Sequence, residues 1–155
     1  MADLEKVLGD EAGNEVAEKV ARLKSLRSIG PTTARQLVVE AFSWRKLGNR
    51  KQAGAYLGAV SAPYASDQHS REQGITKSGN ARLRATMVEI AWLWLRYQPD
   101  SHLTKWFLSK WGPGCKRARL IGIVALARRL FISLWRFVEQ GVVPPGAVFK
   151  PEATR

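Results

Sequence analysis

The 155-residue chain has little that a metal, disulfide or membrane protein needs: one cysteine, Cys115, two histidines, and only 13 acidic residues. A lone cysteine excludes disulfides within the chain. His69 and His102 are isolated and lack the Cys, His or carboxylate company that a metal site requires, so no cofactor is expected in this chain. Such cysteine usage fits a reducing, cytoplasmic setting. Long hydrophobic runs are also missing. The longest, Leu120 to Ala127, stops at Arg128 and Arg129, far short of the roughly 20 residues that cross a bilayer. The acidic, helically patterned start is not a signal peptide, and no membrane partner is expected. No segment alternates apolar and polar residues as a half-buried strand would, which leaves an all-α class.

Positive charge is what the chain has in excess: 25 Lys and Arg give a net charge of +12 and a pI near 10.5. The excess is uneven. Residues 1 to 20 hold six acids and only Lys6 and Lys19, which leaves 23 basic and seven acidic residues beyond position 20. A partner rich in phosphate follows, bound with strong salt dependence. A membrane surface met by the cationic last helix is the rival reading. With 45% apolar residues, the length suits one domain with a real core.

The spacing divides the chain into an acidic helical leader at 1–20, a helical domain at 21–141 and an extended tail at 142–155. Leu4, Leu8, Ala12, Val16, Val20 and Leu23 recur at helical spacing. Leu23 and Leu26 then lead into Ser28-Ile29-Gly30-Pro31, and helical spacing resumes from Thr32 to Phe42. This helix, tight break, helix pattern resembles a helix-hairpin-helix, whose turn offers backbone N–H groups to a DNA phosphate near Gly30 and Thr32. The usual form has a glycine two residues before Gly30, where this chain has Ser28. A plain αα-hairpin packed on the core fits the same residues.

A basic patch, Arg45, Lys46, Arg50 and Lys51, opens a short helix that should end near Leu57 with Gly58 as its stop. A long ordered loop, 58–79, precedes the central helix, in which Leu83, Met87, Ile90, Trp94 and Tyr97 form the buried face and Arg82, Glu89 and Arg96 the opposite one. Asp100 or Ser101 should cap the next helix, which runs to Trp111. The last helix, about Lys116 to Gln140, should bury Leu120, Val124, Phe131, Leu134 and Val138 and end at Gly141. Trp92, Trp94, Trp106 and Trp135 lie in apolar helical runs and read as core. Trp44 and Trp111, beside basic or turn residues, are the candidates for contact with nucleic acid.

The string from Tyr64 to Arg84 carries the chemistry. It sets hydroxyls (Ser66, Ser70, Ser78) before a helix start flanked by Arg71, Lys77, Arg82 and Arg84. Cations and backbone N–H groups there could hold a phosphodiester while a serine attacks phosphorus. Phosphate binding without catalysis fits the same composition.

The segments Ile29-Gly30-Pro31-Thr32-Thr33-Ala34, Tyr56-Leu57-Gly58 and Arg71-Glu72-Gln73-Gly74-Ile75-Thr76-Lys77-Ser78-Gly79-Asn80, followed by Arg82-Leu83-Arg84, resemble the C-terminal domain of insertion-sequence transposases of the IS-one-ten and IS-eleven-eleven group. The resemblance covers roughly residues 23 to 150. It implies a serine recombinase in which an N-terminal RuvC-like domain holds divalent metal, such as Mg2+, with four acidic residues. The helical domain supplies a serine that becomes joined to DNA. Homo-oligomers and a structured guide RNA belong to the same implication. The family's serine falls on Ser66 here, with Asp67 where the family has glycine. Arg71, Lys77, Asn80, Arg82 and Arg84 then become phosphate and transition-state contacts. The chain is expected to be a fragment without the metal-binding domain, bound to DNA but inactive in strand exchange alone. A non-catalytic helix-hairpin-helix module is the alternative.

Overall fold

The computed structural model describes residues 2–42, 50–57 and 81–151, and within them the chain is all-α, as its periodicities require. Six α-helices are described: α1 Ala2–Lys24, α2 Pro31–Leu37, α3 Arg50–Leu57, α4 Ala81–Tyr97, α5 His102–Trp111 and α6 Lys116–Gln140. Helix α2 continues without a break into a π-helical turn, Val38–Phe42. α6 is the central element and packs against α3, α4, α5 and the end of α1.

The buried faces follow the apolar spacing. Leu83, Met87, Ile90 and Trp94 of α4 are fully enclosed. They meet Leu126, Leu130, Phe131, Leu134 and Val138 of α6, while Phe42 at the end of the π turn stacks on Phe131 at 5.3 Å between centroids. Val16, Val20 and Leu23 bring the end of α1 onto the same core. Burying such side chains contributes roughly 1.5–3 kcal/mol each, far more than the intrinsic propensity of any single residue.

Helix ends follow local chemistry. Ser101 caps α5 by accepting the Leu103 N–H, and α6 ends at Gly141, whose φ of 71° is the left-handed conformation glycine adopts freely. Four expectations need correction. Tyr97 is 42% exposed because α4 ends there, beyond the reach of α6. Leu120 is 49% exposed because the first turns of α6 run past the end of the core. Trp92 is on the outer side of α4 rather than in the core. The tail is not simply extended: Phe149 forms a β-bridge with Leu26, and its ring lies 6.1 Å from that of Phe137.

That return of the tail pins the turn between α1 and α2. Arg27 N–H donates to Val148 O at 3.1 Å, and Lys150 N–H donates to Ser25 O at 2.7 Å. Gln98, fully buried at the end of α4, joins both strands of this arrangement. Its Nε2 donates to Arg27 O and Val148 O, and its Oε1 accepts the Val148 N–H. A buried amide with every polar atom satisfied specifies one arrangement, because any shift would strand a donor or acceptor.

Candidate nucleic-acid interface

Leu26 and Ile29 are completely buried on either side of Arg27 and Ser28, so the turn is held from below and presents Arg27 outward. Ser28 has φ 85°, in the left-handed region, and its Oγ is buried without a hydrogen-bond partner. This is the position where a helix-hairpin-helix ordinarily has glycine. The backbone here takes a conformation that glycine reaches without strain, although the residue is serine. Gly30 follows in extended conformation as the N-cap of α2, with Pro31 at the first helical position. A Cβ on Gly30 would meet nothing within 4 Å.

Two shallow depressions flank α2. One, of about 280 Å³, is lined by Arg27, Ser28, Ile29, Gly30, Tyr97 and Lys150. Lys150 reaches it through the folded-back tail and donates from Nζ to Ile29 O at 2.6 Å. The other, of about 360 Å³, is lined by Thr32, Arg35, Gln36, Val39, Glu40 and Arg82. There the π turn and the start of α4 are stitched together. Arg82 Nε lies 3.5 Å from Glu40 Oε1, and Gln36 donates to Thr86 Oγ1 at 2.8 Å. The Arg82 side chain is nevertheless 79% exposed, so this pair contributes little to stability, and the guanidinium stays accessible to an anion.

The structure thus gathers Gly30, Thr32 and Arg82 around α2. Arg84, one position past Leu83, turns instead toward α3 and donates to Leu57 O at 3.5 Å. Lys51 is exposed on α3, and Arg50 begins that helix. Ser66, Arg45, Lys46, Arg71, Lys77, Asn80 and Trp44 lie outside the described residues. Arg27, Arg35 and Lys150 were missed as site candidates. The first two flank the hairpin in sequence and could have been found by that proximity, whereas Lys150 is brought in only by the tail. Among the described residues, no three His, Cys, Asp or Glu side chains come together as a metal site would need.

The hairpin half is braced from behind by Lys19. Its ammonium donates to Phe42 O at 2.7 Å and to Glu139 Oε1 at 3.0 Å, and pairs with Glu15 at 3.1 Å. Burial works to lower the pKa of this lysine, but hydrogen bonds and charge from Glu139 and Glu15 outweigh it and hold the group above its usual 10.5. Trp111, expected as a possible nucleic-acid contact, is half-buried against α6. A Cβ at Gly122 would lie only 2.5 Å from Trp111 Cγ, so the indole rests directly on the helix backbone.

Comparison with known proteins adds the following. Residues 20–105 match the family described as "Transposase IS116/IS110/IS902 family". The chain is 44% identical over 131 residues to "Putative transposase y4rJ" of Sinorhizobium fredii (strain NBRC 101917 / NGR234), an alignment spanning 84% of this chain and 33% of the relative. It is 32% identical over 84 residues to "Putative transposase y4qE" of the same organism, spanning 54% of this chain and 21% of that relative. The chain therefore spans no more than about a third of the curated relatives it matches. No solved structure matches it, and among the described residues no helix is long and apolar enough to cross a membrane. The match covers the hairpin, the depression lined by Thr32, Arg35 and Arg82, and the cap of α5, and on that evidence the chain belongs to the IS116/IS110/IS902 transposase family.

Proposed function

We propose that this chain is the DNA-binding, serine-bearing part of a transposase. The observation that carries the reading is the depression beside α2, where Thr32 and Arg35 meet Arg82 at the start of α4. It lies directly after the string from Arg71 to Asn80, and the first turn of α4 contains no acidic residue. A phosphodiester there would be met by two guanidinium groups and a hydroxyl, and would displace the Glu40 carboxylate, 3.5 Å from Arg82 Nε, from its pairing. In this reading Ser66 Oγ attacks phosphorus. A serine–phosphate ester forms, the P–O bond to one deoxyribose breaks, and the released sugar oxygen takes up the proton that the serine gives up. Arg71, Lys77, Asn80 and Arg82 stabilise the charge on the phosphoryl oxygens. In this reading Mg2+ and its four acids belong to a separate RuvC-like domain. Further partners are a structured guide RNA and other copies of the chain.

The test supplies that metal-binding domain together with a suicide DNA substrate. A covalent protein–DNA adduct is expected, and Ser66→Ala should abolish it. An adduct that survives Ser66→Ala refutes the assignment. The second reading, a non-catalytic hairpin module, is favoured by the glycine-like backbone at Ser28. It predicts salt-sensitive DNA binding that Gly30→Ala weakens and no adduct under any condition. Because a Cβ at Gly30 meets open space, loss of binding in that variant would report on the contact rather than on folding.

A further inference from the structure

The α5–α6 arm carries charge that neither the hairpin nor the serine string uses. Between Ser101 and Val138 there are eight basic residues (Lys105, Lys110, Lys116, Arg117, Arg119, Arg128, Arg129, Arg136) and no acidic one. All but Arg128 are exposed, and among the described residues no carboxylate forms a salt bridge with any of the eight. Lys116, Arg117 and Arg119 crowd the start of a 25-residue helix with no acid in its first turn. There the helix dipole is positive, so these cations raise the energy of the isolated chain instead of stabilising it. Such an arrangement becomes favourable when a polyanion supplies the missing charge.

The aromatic groups of the arm indicate what kind of polyanion. Arg129 lies over the Trp106 ring at 4.0 Å, Lys110 lies over Trp111 at 4.9 Å, and the two indoles meet edge to face at 4.9 Å. Both rings are engaged by cations and by one another, so neither offers the bare face on which unpaired bases stack. They instead hold two cations in place. From Lys116 to Arg129 the helix axis extends about 20 Å, a length over which a duplex carries on the order of ten charges.

We propose that the α5–α6 arm is a second contact surface that takes the sugar–phosphate backbone of duplex DNA through Lys110, Lys116, Arg117, Arg119 and Arg129. It rests on the DNA-binding reading above but uses residues other than those that line the depressions beside α2. The arm adds affinity without reading sequence, because exposed cations neutralise phosphates and carry no match to the donors and acceptors of base edges.

The test measures binding of the full chain to a 30-bp duplex by fluorescence anisotropy across a salt series. Lys116→Gln/Arg117→Gln/Arg119→Gln removes three exposed charges without touching the core. It should weaken binding at least about tenfold at moderate salt and flatten the slope of log K against log[salt] by about two to three. Arg129→Gln should flatten it by about one, and neither effect should depend on duplex sequence. If the triple variant binds with unchanged affinity and slope while Gly30→Ala loses affinity, the arm proposal fails and the hairpin reading stands. If the arm variants and Gly30→Ala all leave duplex binding unchanged, both fail. Single-stranded DNA or RNA bound more tightly than the duplex through the arm overturns the choice of partner. So does charge-dependent capture by anionic vesicles in a chain that ignores duplex DNA.

Discussion

The hairpin half and the α5–α6 arm are both basic, yet they hold their charge in opposite ways. Around the hairpin, three cations are tied into the fold, Lys19 to Glu139 and Phe42 O, Arg22 to Val138 O and Lys150 to Ile29 O, while Arg82 is only loosely paired with Glu40. In the arm, no carboxylate is present between Ser101 and Val138, and two of the cations lie on indole rings. Charge near the hairpin therefore fixes a shape that a ligand can meet, whereas charge in the arm is held ready for a ligand to neutralise. Net charge alone does not separate these uses; the neighbours of each cation do.

The largest expected effect tests the arm's seat on the core. Gly122→Val would drive a side chain into Trp111 and Phe107, whose atoms lie 2.5 Å and 3.1 Å from the position of a Cβ. A loss of about 3 kcal/mol is expected, read as a lowered denaturant midpoint with unchanged m. A wild-type midpoint would mean that the indole does not rest on this helix.

Next comes the clasp behind the hairpin. Gln98→Leu removes three hydrogen bonds and strands the Val148 N–H, at a cost of about 2–3 kcal/mol. Hydrogen exchange should rise first at Arg27 and Val148. Faster exchange confined to α5 and α6 would contradict the division drawn here.

Lys19→Met should cost about 1–2 kcal/mol, because Phe42 O loses its donor while the partly exposed Glu139 can turn to water. The pH dependence has a definite sign. A lysine whose pKa is higher folded than unfolded stabilises fully below the ordinary value of 10.5, and this contribution fades as pH rises through the folded pKa. The difference between wild type and Lys19→Met should therefore be flat from pH 7 to 9 and narrow only in strongly alkaline solution. Narrowing near neutrality would reassign the interaction. The smallest effect is a gain: Ser28→Gly relieves a positive φ and removes an unpaired buried hydroxyl, for about 0.5–1 kcal/mol of added stability. A thermal melt checks it, and a lower midpoint would show that the serine is held there by interactions worth more than the strain.

Helix positions were legible because each element repeats apolar residues at three and four, and because Ser101, Gly141 and the Gly112-Pro113-Gly114 break are local signals. The π turn at Val38–Phe42 was not legible, since a widened turn leaves almost no mark on apolar spacing over five residues. Gly30, Thr32 and Arg82 were legible as one site only through the hairpin and the string. The meeting of Thr32 and Arg35 with Arg82 depends on α2 and α4 packing side by side, which no local pattern encodes. In sequence Trp106 reads as core from its apolar run, and Trp111 as a candidate for nucleic-acid contact from its turn neighbours. Contact with α6 made one a platform for Arg129 and set the other on Gly122.

By itself the sequence determined the helical class, the approximate helix positions, the excess of positive charge and the family motifs, because these depend on residue type and on spacing within one turn or segment. Only the tertiary structure decided which cations are neutralised and which are open, and that the tail, through Lys150 and Val148, completes the hairpin. Those outcomes are set largely by distances between residues far apart in sequence, 121 positions for Lys150 and Ile29 and 120 for Lys19 and Glu139, and such distances exist only once the core has brought the helices together.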